Sequence, residues 1–390
     1  MRFVLAVAEH PWPSTSGGQL RTSAIAATLA QLGEVDVISL NMPEPPPLLA
    51  PALERYWARR YSQPRRLLDL ATGIATAHHV SLNRAIAAGL HIAFADYLTS
   101  IHPDTVVLGR PFFGPFIGAA RAAGANVIAD PDESLVRVSR SVMRSRAPTS
   151  LRARAFLDLL SAGRMERRDF RTVNQLWAGS PIEAAALARA ADGVPIHIVP
   201  NVASRIPDQI AAPWPIRQVA FVGSFGHPPN EEAAMELMRS IMPAIRASGG
   251  PEELVLIGRS PHPRLYRLAK ATGGVTITGA VDDVDVPLRA AGVLVSPIRS
   301  GGGTRLKVLD AAAAGVPIVT TAFGVEGLDL VDGEHMLVAE TRDAFARAVR
   351  RLQTEAGLVE RLTWNAAAFV REHHSRSALR QAIAKALELL

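Results

Sequence analysis

Short apolar runs recur along the chain, separated by stretches whose apolar residues return every three or four positions. FVLAVA, VDVISL, TVVLG (105–109), NVIADP (126–131), QLWAGS (175–180) and IHIVPN (196–201) form a first set. QVAFVGS, ELVLIG, VTITG, GVLVSP, PIVTT and HMLVAE form a second, more evenly spaced one. Strand-like runs alternating with helical stretches predict βαβ units and parallel sheets, built twice. The runs are continuously apolar, as strands covered on both faces require. The fold class expected is therefore α/β, with two doubly wound halves facing each other across a cleft and ligands at the carboxyl ends of their strands. Prolines interrupt both periodicities over 201–217, which predicts a linker there. The domains expected are 1–205, 206–372 and a final amphipathic helix over 373–390, which no strand follows and which needs a surface to cover.

Composition narrows the picture. At 390 residues the chain fits two domains, and an apolar content of 48% is ample for packed cores. No apolar run approaches the roughly 18 residues of a membrane helix. The opening MRFVLAVAEH suits a buried strand better than a secretory leader, so a cytoplasmic location is expected. The absence of cysteine excludes disulfides, thiolate metal sites and cysteine nucleophiles.

The net charge of +6 conceals a skew, because only three of the 42 basic residues are lysines: Lys270, Lys307 and Lys385. In a chain that defaults to arginine, Lys307 is an unusual choice. Basic residues also concentrate locally, with ten arginines against three acids from Arg137 to Arg171. Such a run is most often a solvated helical surface. It also fits a face that approaches anionic lipid or an anionic acceptor, and hence a peripheral location at the inner membrane face. Nucleic acid is not expected, since no aromatic-interleaved platform accompanies the charge.

The segment SPIRSGGGTRLKVLDAAAAGVPIVTT (296–321) carries the most chemistry. It is neither a P-loop nor a dinucleotide fingerprint, because both the Gly-Lys-Ser/Thr ending and the G-x-G-x-x-G spacing are missing. GVLVSP ends a strand, so the loop after it lies at the mouth of a sheet. Gly301, Gly302 and Gly303 clear side chains from the first amides of the next helix, where the unsatisfied N–H groups and the dipole favour an anion. Arg305 and Lys307 add mobile cations in the first turn, a placement that disfavours the helix unless something strongly anionic, such as a diphosphate, occupies the site. Asp310 lies about one and a half turns further on, where it can accept from a sugar or ribose diol.

This segment resembles the signature region of the family 4 retaining glycosyltransferases of the GT-B fold, and in particular a subgroup whose loop reads GxGTRLKVLEA. VSP and KVLDAAAAGVPIVTT match the family's pattern, and Asp310 stands at its second glutamate, which contacts the nucleotide ribose. Its first glutamate, which contacts the donor sugar, falls at Gly302. STSGGQLR (14–21), AGSPIEAAAL (178–187), IVPNV (198–202), FVGSFGHPPNEEAA (221–234), LVLIGRSP (254–261), VTITGAVDDVDVPLRAAGVLVSP (275–297) and FGVEGL (323–328) are similar to further family segments in the same order. The resemblance implies two Rossmann-like domains, an N-terminal one binding acceptor and a C-terminal one binding nucleotide-sugar. The last helix would cross back to the first domain. It implies sugar transfer from a nucleotide diphosphate-sugar donor, a co-substrate, to a carbohydrate, glycolipid or small natural-product acceptor. Retention, no metal and no cofactor are implied with it.

The same resemblance implies roles for single residues. Arg305 and Lys307 would be catalytic, through charge developing on the departing diphosphate. Gly17, Gly18, Gly301, Gly302, Gly303 and Thr304 would hold donor phosphates and sugar, and Asp310, Arg259 and Gly223 the ribose and base. His10, Arg21, Arg110 and Asp130 follow strands or sit in the N-terminal loop, and are candidate acceptor contacts. His78 and His79 form a pair that fits a surface helix or proton handling. Two other functions fit such a fold: a nucleotide-sugar epimerase, and a nucleotide-sugar-binding subunit without catalysis.

Overall fold

The computed structural model describes residues 1–14, 16–62, 80–110, 112–144, 149–210, 214–303 and 305–389. The chain divides into two units, one of Met1–Asn201 with Leu379–Leu390 and one of Val202–Ala378. Each is built on a six-stranded sheet whose strand pairings are all parallel, and all twelve apolar runs of the sequence contribute strands.

The first sheet contains β1 (Arg2–Val7), β2 (Glu34–Ser39), β3 (Thr105–Gly109), β4 (Asn126–Asp130), β5 (Gln175–Ala178) and β6 (Ile196–Ile198). Their order is β2-β1-β3-β4-β5-β6, so the direction of winding reverses between β1 and β3. Phe3, Val4, Leu5 and Ala6 have no solvent exposure, consistent with helices on both faces. Phe94, Phe112 and Phe116 interlock on one side, with ring centroids 5.0–5.9 Å apart. Between β4 and β5 the chain inserts two helices, Leu135–Arg144 and Thr149–Asp169, which pack on each other. His78 and His79 lie outside the described residues.

The second sheet contains β7 (Gln218–Val222), β8 (Glu253–Ile257), β9 (Val275–Gly279), β10 (Gly292–Ser296), β11 (Ile318–Thr320) and β12 (Leu337–Val338). Its order, β12-β11-β10-β7-β8-β9, reverses between β10 and β7, which pair through Gly292 with Gln218 and Val293 with Val219. The helix Leu306–Ala313 lies on this sheet with Ala311, Ala312, Ala313 and Ala314 at most 1% exposed. A run of alanines lets the helix approach both the strands and the helix Ala356–His373 closely.

The segment 201–217, whose prolines predict a linker, contributes to the second unit from its second residue. Ala203 N donates to His374 O at 3.1 Å, and Ser204 is held by Asp310. The final helix, Arg376–Ala386, buries Leu379 and Ile383. Among the described residues no helix is long and apolar enough to cross a membrane.

Candidate functional site

In an open parallel sheet the crevice for ligands lies beyond the carboxyl ends of the strands where winding reverses. In the second unit that point is between β7 and β10, so the loops after Val222 and Ser296 form it. After β7 the chain runs through Gly223 and Ser224 into the helix Pro228–Glu236, whose two prolines occupy first-turn positions that need no N–H donor. Asn230 folds back over this loop, its Nδ2 donating to Ser224 O at 2.9 Å. A Cβ on Gly223 would stand 2.8 Å from Asn230 Cγ, so the glycine is what lets the amide lie there.

The glycine loop after β10 packs on the same helix start. Gly301 has φ +112, and a Cβ there would meet Pro229 Cγ at 3.2 Å. Lys307 Nζ reaches across from the first turn of its helix and donates to Asn230 Oδ1 at 2.6 Å. The ammonium also stands 4.5 Å over the Phe221 ring. Burial, and then the charge of Arg305, pushes Lys307 down to about 7. Burial first, and then Lys307, holds His227 below the ordinary histidine range.

Arg305 differs from expectation. It immediately precedes the helix Leu306–Ala313, and its side chain is fixed rather than mobile. Nε donates to Phe323 O at 3.1 Å, Nη1 donates to Gly302 O at 3.2 Å, and the guanidinium lies 4.3 Å over the Phe323 ring. With 8% of the residue exposed, it anchors the glycine loop to the turn Phe323–Val325 while keeping its charge beneath that loop. Thr304 lies outside the described residues.

Asp310 is also partnered. Its Oδ1 accepts from Ser204 N at 2.8 Å and its Oδ2 from Ser204 Oγ at 3.0 Å. Burial pushes its carboxyl up to about 6, against the pull of the Ser204 donors, with Asp285 adding to the rise. The structure thus brings Gly223, the glycine loop, Arg305, Lys307 and Asp310 into one unit around a single switch point. Arg259 follows β8, and its carbonyl accepts from Phe225 N at 2.9 Å. Asn230, His227 and Ser204 escape a sequence search aimed at cations and acids. The visible signal was their position just beyond an apolar run.

The first unit corrects two expectations. Arg21 and Asp130, candidate acceptor contacts, instead form a buried ion pair at 2.6 Å, with 2% and 5% of their side chains exposed. Arg21 Nη1 also donates to Val199 O and Asn201 Oδ1, both at 2.9 Å. Their hydrogen-bonding capacity serves to tie the first helix to the far side of the sheet. Arg110 donates through Nε and Nη2 to Pro131 O at 3.1 and 2.8 Å. His10 is half-buried after β1, its amide donating to Asn41 Oδ1 at 2.7 Å and its ring 5.8 Å from that of Trp12. Gly17 and Gly18 open the helix Gly17–Leu29 behind Ser16, which accepts from Gln19 N, and both are exposed.

With this geometry in view, residues 216–355 match the family described as Glycosyl transferases group 1. An uncharacterized 44.6 kDa protein in the cps region of Klebsiella pneumoniae is 24% identical over 174 residues, 43% of this chain. The match spans 45% of that relative, less than half its length. Sucrose-phosphate synthase from Thermosynechococcus elongatus superposes with a TM-score of 0.68 at 16% identity, over 100% of this chain and 99% of that one. HepE from Anabaena, solved in complex with UDP-glucose, superposes with a TM-score of 0.64 at 12% identity over 100% of both chains. These likenesses establish the fold, two Rossmann-like α/β units of the GT-B kind.

Proposed function

We propose that this chain, which carries a group 1 glycosyltransferase domain over 216–355, transfers a sugar from a nucleotide diphosphate-sugar to a carbohydrate, glycolipid or small natural-product acceptor. The observation that carries the reading is the placement of Lys307. A lysine pushed down to about 7 stands at the switch point, held by one neutral amide oxygen. An incoming diphosphate would supply the negative charge that this burial lacks, and the neutral amine would take up a proton as the ligand binds. Arg305 is preorganised under the loop, so that its field acts without reorganisation when charge develops on the leaving diphosphate. Asp310, which already accepts two hydrogen bonds from Ser204, is the acceptor for a ribose diol.

The reading extends to retention of configuration without a metal, for which the paired cations supply the leaving-group electrostatics. It includes Gly17 and Gly18 as a further set of exposed helix-start amides, Arg259 and Gly223 around the base, and His10 and Arg110 towards the acceptor. A cytoplasmic enzyme in peripheral contact with a membrane fits the arginine-rich helices of the first unit.

Thermal unfolding with UDP, GDP, ADP, TDP and CDP, on the wild type and on Lys307→Ala, tests the reading. A ligand at 100 times its Kd adds about 2.7 kcal/mol. One nucleotide should raise the midpoint of the wild type and act weakly on the variant. No shift with any nucleotide would remove the proposal.

A further inference from the structure

The helix Thr149–Asp169 has two unlike sides. Its inward residues are Ala155, Ala162, Met165, Glu166 and Asp169, none more than 6% exposed. Its outward residues include Arg152, Phe156, Leu160, Arg164 and Arg167, at intervals of three or four that align along one face. Phe156 is 48% exposed and Leu160 41%. Two large apolar side chains thus stand in water at the middle of the face, with arginines beyond them at both ends.

The acids of this helix are all elsewhere. Glu166 is turned inward, accepting from Ser134 Oγ at 3.1 Å and Val136 N at 3.3 Å. Asp169 is 2% exposed and held by Arg168 at 2.6 Å. Asp158 lies about half a turn away from the face and pairs with Arg154 at 3.8 Å. The end of the neighbouring helix, Leu135–Arg144, lies beside this one, with Arg152 Nε donating to Met143 O at 3.0 Å, and that helix carries two further exposed arginines, Arg140 and Arg144. The result is a cationic surface with an apolar centre, its carboxylates withdrawn.

We infer that this face of Thr149–Asp169 docks on an anionic lipid surface, with Phe156 and Leu160 entering the headgroup boundary and the flanking arginines pairing with lipid phosphates. Arginines alone would suit any polyanion. The two exposed apolar side chains select a partner that offers hydrocarbon beneath its charge, which a bilayer does. Arginine stems are long enough to lie along the surface while their heads remain at phosphate level. The inference extends the proposed acceptor side of the reaction, and rests on that reading only for its purpose, to bring the first unit to a membrane-borne substrate.

The test is sedimentation with vesicles of phosphatidylcholine alone and of phosphatidylcholine mixed with phosphatidylglycerol. The wild type should bind the mixed vesicles and not the neutral ones. Partitioning should fall about tenfold in Phe156→Ser/Leu160→Ser and in Arg152→Ser/Arg164→Ser/Arg167→Ser, with unfolding midpoints close to wild type. Absence of binding to the mixed vesicles overturns the inference. So does binding that survives Phe156→Ser/Leu160→Ser, since the face would then be a generic polyanion site. Vesicle binding without any nucleotide shift would remove the transfer reading and leave this one standing.

Discussion

Lys307 and Asn230, 77 residues apart, join the loops at the carboxyl ends of β10 and β7 through a single hydrogen bond of 2.6 Å from Nζ to Oδ1. Asn230 spends its other amide end on Ser224 O, so the ammonium is held at a fixed point over Phe221. Exchanging the amide should tune the lysine in opposite directions. Asn230→Ala removes an oxygen that favours the charged form and should move the titration of Lys307 below 7. Asn230→Asp adds a carboxylate and should move it above. The pH at which nucleotide affinity breaks should follow, down in the first variant and up in the second. Equal weakening at every pH would reduce Asn230 to a structural support.

In the wild type the same titration predicts proton uptake. Below pH 7 Lys307 is already charged and binding a nucleoside diphosphate should take up little. Above it the free lysine is mostly neutral, and affinity should fall about tenfold per pH unit until the bound-state value is reached. Calorimetry at pH 8 in buffers of different ionisation enthalpy should register close to one proton per ligand, and Lys307→Ala none.

Asp310 should carry a stability cost. Its folded value, about 6, lies above the ordinary 3.8, so the folded chain binds the extra proton and this group's contribution falls as pH rises between the two values. Asp310→Asn keeps an acceptor for Ser204 N and should raise stability by up to about 3 kcal/mol at pH 7. The gain should vanish below about pH 4, where wild-type Asp310 is protonated in both states. Denaturant midpoints across that range give the measurement, and nucleotide binding should weaken in the same variant.

The ion pair of Arg21 and Asp130 should prove structural. Asp130→Ala leaves the buried Arg21 guanidinium with only the more distant Asp132, at 3.9 Å, as counter-charge and should cost about 3 kcal/mol. Nucleotide-induced stabilisation, which we propose to arise chiefly from the other unit, should persist. A loss under about 1 kcal/mol would put the pair among solvent-screened bridges.

Gly258 should be intolerant of any side chain. Its φ is +146, and a Cβ would stand 1.9 Å from Gly223 O, on the loop that carries the site. Gly258→Ala should lower stability by about 2–4 kcal/mol and weaken nucleotide binding together. Gly18→Ala, with open space around it, should be neutral or stabilising by about 1 kcal/mol.

Strands and helices were legible because they are written in local periodicity, and the glycine triplet was legible because bare backbone before a helix has few other uses. The pairings were not. Asp310 meets Ser204 across 106 residues and Arg21 meets Asp130 across 109. Such partners are brought together by strand order, and nothing in the local pattern around Asp130 distinguishes a carboxylate aimed at solvent from one aimed at a helix behind it. The expected mobility of Arg305 failed for a related reason. Which carbonyls the turn Phe323–Val325 would present to the guanidinium depends on how β11 ends beside β10.

The last residues, Leu379–Leu390, belong with Met1–Asn201, so the second unit is an insertion in the chain of the first. Any hybrid chain assembled with one crossover near residue 201 would therefore graft a foreign final helix onto its own amino-terminal half. Leu379 and Ile383, 1% and 0% exposed, would have to fit a core they did not evolve with. Exchange of the whole second unit between relatives calls for two crossovers, the second just before Leu379.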